Sequence, residues 1–271
     1  MFTVLGASGF IGSQVVQNLH KREPFVFAPP RDWTLPKELG HIIYCIGLTA
    51  DFRSRPLDAM EAHVGYLVRL LQQNTFESLT YLSSTRVYGT GSPTAYEDDV
   101  LTVAPNDPSD LYNISKLAGE SVCLSSGRKN VRVVRLSNVY GYDAKSENFI
   151  FTLIRDALKD KKIVLRSALE SSKDHVSVDD VARILPEIAL RGKQRIYNIA
   201  RGKNTTAGQI VRKLQGLTKC AVEVAEDAPR ICFPRIETKR LVSEFPEFKP
   251  TDILEDLGRL VGEYKRATAV L

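Results

Sequence analysis

Short apolar runs alternate with longer amphipathic segments over the first half of the chain. Apolar runs of strand length occur at residues 1–5, 24–28, 41–47, 79–82 and 130–136. Between these runs, apolar side chains recur at helical period, for example in segments 59–73 and 111–124. Because strand and helix patterns alternate at least five times, the chain is predicted to be an α/β protein with a doubly wound parallel sheet.

The second half of the chain predicts a smaller set of elements. Helices are expected at residues 149–160, 179–190, 208–217 and 253–264, with a short strand at 163–165. We therefore predict a Rossmann domain over 1–145, with later returns to its sheet, and a smaller α/β lobe over 146–271. The segment 230–235 has two interpretations, as the lining of a cleft or as a plain surface strand.

A glycine-rich turn joins the first strand to the first helix. Gly6 permits a tight turn, Gly9 lets backbone amides approach a pyrophosphate, and Gly12 lets the helix pack against the strand. A strand, a glycine turn and a helix in this order predict a dinucleotide site. The cofactor-binding residues expected here are Gly6, Ser8, Gly9, Phe10, Ile11 and Gly12, and Gly47 is expected to border the cofactor after the strand at 41–47.

The end of the second predicted strand bears on the choice between NAD and NADP. An acidic residue at this point usually binds the ribose 2′-hydroxyl of NAD. This chain has Arg31 there, and a guanidinium can pair with the 2′-phosphate of NADP. The pattern slightly favours NADP over NAD. Two alternatives stay open: Arg31 is a loop residue that faces water, or the neighbouring Asp32 reaches the ribose.

Tyr112 and Lys116 lie four residues apart in a predicted helix. At this spacing both side chains leave the same face, one turn apart. A lysine ammonium near a phenol favours the phenolate, so Lys116 is expected to lower the pKa of Tyr112. A tyrosine tuned in this way can exchange a proton with a carbinol or a carbonyl.

Composition excludes several other classes of function. The net charge of +5 suits an anionic small molecule, but no Lys/Arg-rich run predicts nucleic-acid binding. Four cysteines without a Cys-x-x-Cys pair, together with four histidines, do not favour a metal site. Reduced thiols, and the lack of a signal-peptide or membrane-span pattern, favour a cytoplasmic protein that does not associate with membranes.

Five ordered motifs together resemble those of a known family. They are the segments 6–12, 83–89, 135–141 and 173–181 and the pair Tyr112/Lys116. This set resembles the extended short-chain dehydrogenase/reductases and, more narrowly, the NAD-dependent epimerase/dehydratase group that modifies nucleotide sugars. The similarity extends from residue 1 to about residue 200.

The resemblance implies roles for individual residues. Tyr112 would be the acid/base, Lys116 would bond the nicotinamide ribose, and Ser84 would be their hydroxyl partner. The substrate-binding residues implied are Thr85, Arg86, Asn138, Asn148 and Lys173. The resemblance also implies a homodimer formed through a four-helix bundle that contains the helices at 59–73 and 111–124.

Several departures from the family pattern limit what can be transferred. The dehydratase branch carries Asp-Glu where this chain has Thr85-Arg86, so the base of that elimination is missing. His63 stands where the family usually has Asn, and Lys173 stands where it often has Arg. Lysine supplies charge there but lacks the bidentate fork of arginine.

The expected function is an NAD(P)-dependent oxidoreductase or isomerase of a nucleotide sugar, as a 4-ketoreductase or a 4-epimerase. Arg31 and the missing acidic residue slightly favour the reductase. Two alternatives stay open: a reductase of a non-nucleotide carbonyl compound, and a protein that senses NAD(P) without chemistry.

Overall fold

The computed structural model describes residues 1–31, 33–48, 51–142 and 148–268. Its strands are β1 (Phe2–Leu5), β2 (Val26–Phe27), β3 (His41–Tyr44), β4 (Ser78–Ser84), β5 (Thr94–Ala95), β6 (Val131–Leu136), β7 (Asn138–Tyr140), β8 (Lys162–Leu165), β9 (Ser172–Ser177), β10 (Ile196–Ile199), β11 (Asn204–Thr206), β12 (Ala221–Val224) and β13 (Arg235–Ile236). Its α-helices are α1 (Phe10–His20), α2 (Pro56–Met60), α3 (Tyr66–Gln73), α4 (Leu111–Ser125), α5 (Phe149–Lys159), α6 (Val178–Arg191), α7 (Ala207–Thr218), α8 (Lys239–Glu244) and α9 (Ile253–Thr268).

Six parallel strands form the central sheet in the order β10-β6-β4-β3-β1-β2. Counted along the chain, this order is 2-1-3-4-5-6, whereas the usual Rossmann order is 3-2-1-4-5-6. In the described part of the segment between β2 and β3 there is no helix and no strand of this sheet. The usual Rossmann sheet has a further strand beside its second strand. In the described part of this chain, β2 is instead the edge strand of the sheet.

Helices cover both faces of the sheet, as a doubly wound fold requires. On one face α1 and α6 bury apolar residues such as Val15 and Leu185 against the strands. On the other face α3 and α4 pack against Tyr44 and Tyr81. The predicted doubly wound parallel sheet is confirmed.

A π-helical turn at Glu61–Gly65 joins α2 to α3 and interrupts the helix predicted at 59–73. Two backbone carbonyls of this turn accept hydrogen bonds from tyrosines of the sheet. The Tyr44 hydroxyl donates to the carbonyl of Ala62 at 2.7 Å, and the Tyr81 hydroxyl donates to the carbonyl of His63 at 3.2 Å. The irregular turn is therefore tied to the central sheet.

Other elements differ from prediction in length. The strand predicted at 24–28 shrinks to Val26–Phe27, since Pro24, Pro29 and Pro30 lack the N–H that a ladder needs. The helix predicted from residue 59 begins at Pro56, a residue suited to a first helical turn. Most helices of the second half extend one to four residues beyond their predicted ends.

The second lobe has its own core between α5, α7 and α9, beside the β8–β12 pair. A separate three-stranded sheet, β11-β9-β7, contacts α6 of the central domain and also α7 and α9 of this core. After β9 the chain returns to the large sheet through α6 and β10. The domain boundary proposed at residues 145/146 lies outside the described residues and stays a prediction.

Candidate active site

A cleft of about 930 Å³ opens between the carboxyl ends of the central strands and the second lobe. Ligands of open α/β sheets bind outside these strand ends. The cleft brings together most of the predicted site residues, namely Gly9, Phe10, Ile11, Gly47, Ser84, Thr85, Arg86, Tyr112, Lys116, Asn138, Asn148 and Lys173.

Four predicted cofactor residues are not part of the cleft lining. Gly6 and Gly12 lie against each other, so a Cβ on Gly12 would overlap the carbonyl of Gly6. Gly6 also has a φ of +84°, which favours glycine. Ser8 is exposed within the turn, and Arg31 is exposed in the loop after β2. Whether Ser8 and Arg31 contact a cofactor stays a prediction.

The beginning of α1 fits the pyrophosphate of a dinucleotide. Its N-cap is Gly9, no side chain caps it, and its first turn has no acidic residue. The backbone N–H groups of this turn therefore have no capping side chain, and Gly9, Phe10 and Ile11 line the cleft. These residues would hold the diphosphate of a bound NAD(P).

Tyr112 is buried at the start of α4, between Phe52 and His63. The Arg86 guanidinium carbon lies 5.5 Å from its ring centroid. Burial raises the pKa of Tyr112, while the neighbouring Ser84 and the charge of Arg86 oppose this rise. The prediction that Lys116 sets a lowered pKa for Tyr112 is wrong for this state, since burial dominates.

Lys116 lies one turn further along α4 and is almost fully buried. Its ammonium donates to the backbone carbonyl of Leu82 at 2.9 Å and lies 5.9 Å from the Tyr112 ring centroid. Burial lowers the pKa of Lys116 to about 7, and the nearby carboxylate of Glu120 opposes this effect. The ammonium therefore borders the phenol without contacting it directly.

His63 is buried beside Tyr112, a contact that the sequence did not reveal. Its Nε2 accepts from the backbone N–H of Leu48 at 3.1 Å, so Nδ1 carries the proton and donates to Ser115 Oγ at 2.8 Å. Ser115 in turn donates to the Tyr112 carbonyl at 2.8 Å. Burial, then the charge of Lys116, lower the pKa of His63 to about 3. A neutral imidazole thus links the loop after β3 to the tyrosine helix.

A buried ion pair joins the same helix, α4, to the central sheet. The carboxylate of Glu120 accepts from the Arg135 guanidinium at 2.7 Å and from Ser83 Oγ at 2.5 Å. Arg135 also donates to the Tyr88 hydroxyl at 2.9 Å. Together these bonds join α4 to β4, to β6 and to the turn after β4.

The strands β7 and β9 contribute polar side chains to the lining of the cleft. The Asn138 amide donates to the Asp174 carbonyl at 2.9 Å, which fixes its direction. The buried Asp174 carboxylate accepts from the backbone N–H groups of Arg201 and Lys203, each at 3.0 Å. Asn148 caps α5 by accepting from the Phe151 N–H at 2.9 Å. A contact between substrate and Asn138 or Asn148 stays a prediction.

A second cavity of about 850 Å³ adjoins the cleft within the second lobe. Phe149, Lys173, His175 and Phe233 line both spaces. Four cationic residues line the second cavity, namely Lys162, Arg155, Arg166 and Lys173, against two acidic residues, Asp156 and Asp160. Of the segment 230–235, Phe233 reaches both spaces, which favours the cleft interpretation. Neighbouring Arg230 and Arg235 are not part of either lining.

The family model for the NAD dependent epimerase/dehydratase family matches residues 35–200, more than half of the chain. The chain belongs to this family. A GDP-6-deoxy-D-mannose reductase of Pseudomonas aeruginosa is 26% identical over 267 residues, covering 88% of this chain and 86% of that protein. The prediction of an enzyme of the epimerase/dehydratase family is thereby confirmed.

Solved structures with the same fold support the architecture of this epimerase/dehydratase family member. MoeE5 in complex with UDP-glucose and NAD has a TM-score of 0.80 at 23% identity, covering 98% of this chain and 99% of that one. A UDP-N-acetylglucosamine 4-epimerase from Methanobrevibacter ruminantium M1, in complex with UDP-N-acetylmuramic acid, has a TM-score of 0.82 at 20% identity, with 98% of each chain covered. Within the described residues of this chain, no helix is long and apolar enough to cross a membrane.

Proposed function

We propose that this enzyme reduces a keto group on a nucleotide sugar with NAD(P)H, and that Tyr112 provides the proton. The main support is the cleft, which holds Ser84, Tyr112 and Lys116 between the uncapped start of α1 and the second lobe. Family membership and the reductase relative point to the same class of substrate.

Bound NAD(P)H supplies the hydride. The chain itself supplies the proton and the orientation of the substrate. Tyr112 donates from its hydroxyl to the carbonyl oxygen, and Ser84, which lines the same cleft, is proposed to hydrogen-bond that oxygen. Lys116, on the same helix face one turn away, lines the same cleft and is proposed to bond the nicotinamide ribose.

The residue after Thr85 argues against an elimination. Arg86 lies where the dehydratase branch carries an acidic residue, so a carboxylate base for elimination is missing at this position. This difference supports the ketoreductase over a dehydratase. Burial raises the pKa of Tyr112, so the phenol holds the proton that a reduction would take from it.

The nucleotide part of the substrate is assigned to the second cavity. Its lining has an excess of cationic side chains, which suits an anionic ligand. Asn138, Asn148 and Lys173 line the same cleft as Tyr112, and Lys173 also lines this cavity. They are proposed to bind the sugar and the diphosphate, and Thr85 and Arg86 to border the sugar.

NADP remains the proposed cofactor, with Arg31 as the residue that binds its 2′-phosphate. Comparing the KM for NADPH and for NADH in wild type and in Arg31→Ala tests this assignment. The variant is expected to raise the KM for NADPH alone. Equal effects on the KM for NADPH and for NADH would contradict the assignment of Arg31 to the 2′-phosphate.

A homodimer is a separate proposal, which size-exclusion chromatography tests.

Turnover of 4-keto nucleotide sugars with NADPH or NADH tests the function directly. Tyr112→Phe is expected to lower kcat by about 10²- to 10⁴-fold, because the proton donor is lost. Cofactor affinity should be retained. Tyr96→Phe, at an exposed tyrosine, is the matched control and should leave kcat unchanged.

Three results would contradict the proposal. Sugar turnover without net oxidation of cofactor would indicate a 4-epimerase. Activity on a carbonyl compound that lacks a nucleotide, with none on nucleotide sugars, would show that the substrate is a non-nucleotide carbonyl compound. Cofactor binding with no turnover of any carbonyl would indicate a sensor.

A further inference from the structure

Arg86 places a guanidinium in the cleft beside Tyr112 without an acidic partner. It lies in the 3₁₀ turn Thr85–Tyr88 that follows β4, and it lines the cleft. Its guanidinium carbon lies 5.5 Å from the Tyr112 ring centroid and 5.4 Å from the Phe52 ring centroid. Nη2 donates to the Ser109 carbonyl at 3.2 Å. Among the described residues the guanidinium forms no ion pair, and Nε and Nη1 have no hydrogen-bonding partner.

A neighbouring arginine, Arg53, makes similar contacts from outside the cleft. Its guanidinium carbon lies 4.7 Å from the Phe52 ring centroid, and its Nη2 donates to Ser109 Oγ at 3.2 Å. Arg53 is exposed and is not part of the cleft lining. Since Arg53 packs on this ring and bonds this serine from outside, these two contacts do not explain a second guanidinium, that of Arg86, inside the cleft.

The other charged residues of the cleft lining have partners or proposed ligands. The lining has three cationic residues, Arg86, Lys116 and Lys173, and two acidic residues, Asp51 and Asp174. Lys116 is proposed to bond the nicotinamide ribose, and Lys173 the diphosphate of the substrate. Asp174 accepts from two backbone N–H groups, and neither acid pairs with Arg86. Within the described lining, Arg86 is therefore left without an anion.

The position of Arg86 indicates which part of the substrate would carry that anion. Tyr112 gives its proton to the carbonyl oxygen, which is on C4 in a 4-keto sugar. The neighbouring ring carbon, C5, carries C6, so the C6 group lies close to the Tyr112 ring on which Arg86 packs. A guanidinium with N–H groups on Nε and Nη1 available matches the two oxygens of a carboxylate.

We propose that the substrate is a nucleotide uronic acid, and that Arg86 is the specificity-determining residue that binds its C6 carboxylate. This inference rests on the proposed function, because it needs the carbonyl group of a nucleotide sugar at Tyr112. It adds the oxidation state of C6, since a hydroxymethyl or methyl group at this carbon would leave the guanidinium unpaired.

Calorimetric titration with sugars that differ only at C6 tests the inference. The pairs are UDP-glucuronic acid with UDP-glucose, and GDP-mannuronic acid with GDP-mannose. The full-length Tyr112→Phe variant keeps the ring beside Arg86 and allows binding without turnover. In at least one pair the acid is expected to bind about 10- to 100-fold more tightly than the neutral sugar, as for hydrogen bonds between charged groups.

Substitutions at Arg86, made in the same Tyr112→Phe background, locate the source of this preference. Arg86→Gln should weaken binding of the acid to the level of the neutral sugar, whose own binding should not change. Arg86→Lys should retain part of the preference, because lysine keeps the charge but lacks the bidentate fork. Arg53→Gln is the matched control and should retain the full preference, since Arg53 lies outside the cleft lining.

The possible outcomes separate this inference from the proposed function. Equal binding of the two members of each pair, or a preference for the acid that Arg86→Gln leaves undiminished, would overturn the inference and leave the proposed function standing. An equal loss for acid and neutral sugar in a folded Arg86→Gln would do the same. Thermal unfolding shows whether each variant folds. If Arg86→Gln does not fold, Arg86→Lys decides, and an unchanged preference there overturns the inference. If no sugar of either pair binds, both proposals fall.

Discussion

At the scale of residues, the site is built from groups that burial has made neutral or less ionised. Tyr112 holds its proton more tightly than a free tyrosine, while Lys116 has a pKa of about 7. His63 and His175 are neutral, with pKa values of about 3. The low local polarity that shifts these groups would also strengthen any hydrogen bond to a ligand.

His63 is expected to hold the loop after β3, because its Nε2 accepts from the Leu48 N–H. His63→Asn shortens the side chain and removes this acceptor. The Leu48 amide should then exchange its hydrogen about tenfold faster, as expected for the loss of one ordinary hydrogen bond. Hydrogen exchange followed by NMR measures this rate, with Tyr112→Phe as the control. An unchanged rate would show that His63 does not hold the loop.

At the scale of elements, α4 carries the residues of the proposed chemistry on a single face. Tyr112, Lys116 and Glu120 follow one another at intervals of four residues. The first two face the cleft, and Glu120 ties the helix to the sheet through Arg135. A rotation or shift of α4 would displace all three groups together, so we expect the buried ion pair to help hold the phenol in position.

Glu120→Gln is expected to lower the free energy of unfolding by about 3–5 kcal/mol, because Arg135 would lose its buried counter-charge. The pKa of Lys116 should also fall, since the Glu120 carboxylate raises it. Urea denaturation measures the first effect. Glu61→Gln is the matched control, because Glu61 pairs with Arg69 at the surface and should contribute less than about 1 kcal/mol.

The double variant Glu120→Gln/Arg135→Met completes this test. Removing both charges together should recover much of the stability that the single variant loses. A single-variant loss as small as that of Glu61→Gln would show that the buried pair does not hold α4.

At the scale of the whole molecule, the cleft is lined by the central sheet and by the second lobe. The central sheet contributes the glycine turn and the strand ends, and the second lobe contributes β9, the start of α5 and Phe233. Burying His63 and His175 in neutral form affects the free energy of unfolding of the whole chain. This effect should therefore appear in the pH dependence of global stability.

Stability is expected to fall as the pH drops below about 6.5. The unfolded chain then protonates His63 and His175, whereas the folded chain resists until about pH 3. Each histidine should lower the free energy of unfolding by about 1.4 kcal/mol per pH unit in this window. Above pH 6.5 both states are neutral, so this dependence ends.

Urea denaturation between pH 7 and pH 5 measures the slope, largely above the range where carboxylates titrate. The double variant His63→Asn/His175→Phe should lose about 2.7 kcal/mol per pH unit of slope, the sum for the two histidines. Parallel slopes in wild type and the double variant would show that the two histidines titrate normally when folded.

The sequence by itself determined the features that depend on local order. The glycine turn and the four-residue spacing of Tyr112 and Lys116 follow from the backbone geometry of a turn and a helix. The alternation of strands and helices was equally local. Short strands such as β7 and β11 escaped prediction, because long-range pairing defines them more than any apolar period.

Tertiary structure alone decided which distant residues meet and how they ionise. Ser115 lies 52 residues from His63, and Phe233 reaches the cleft from far along the chain. The shortened sheet edge after β2 and the raised pKa of Tyr112 also depend on packing. Spacing along a helix fixes a direction, but burial depends on every element that closes over a group, and burial sets its charge.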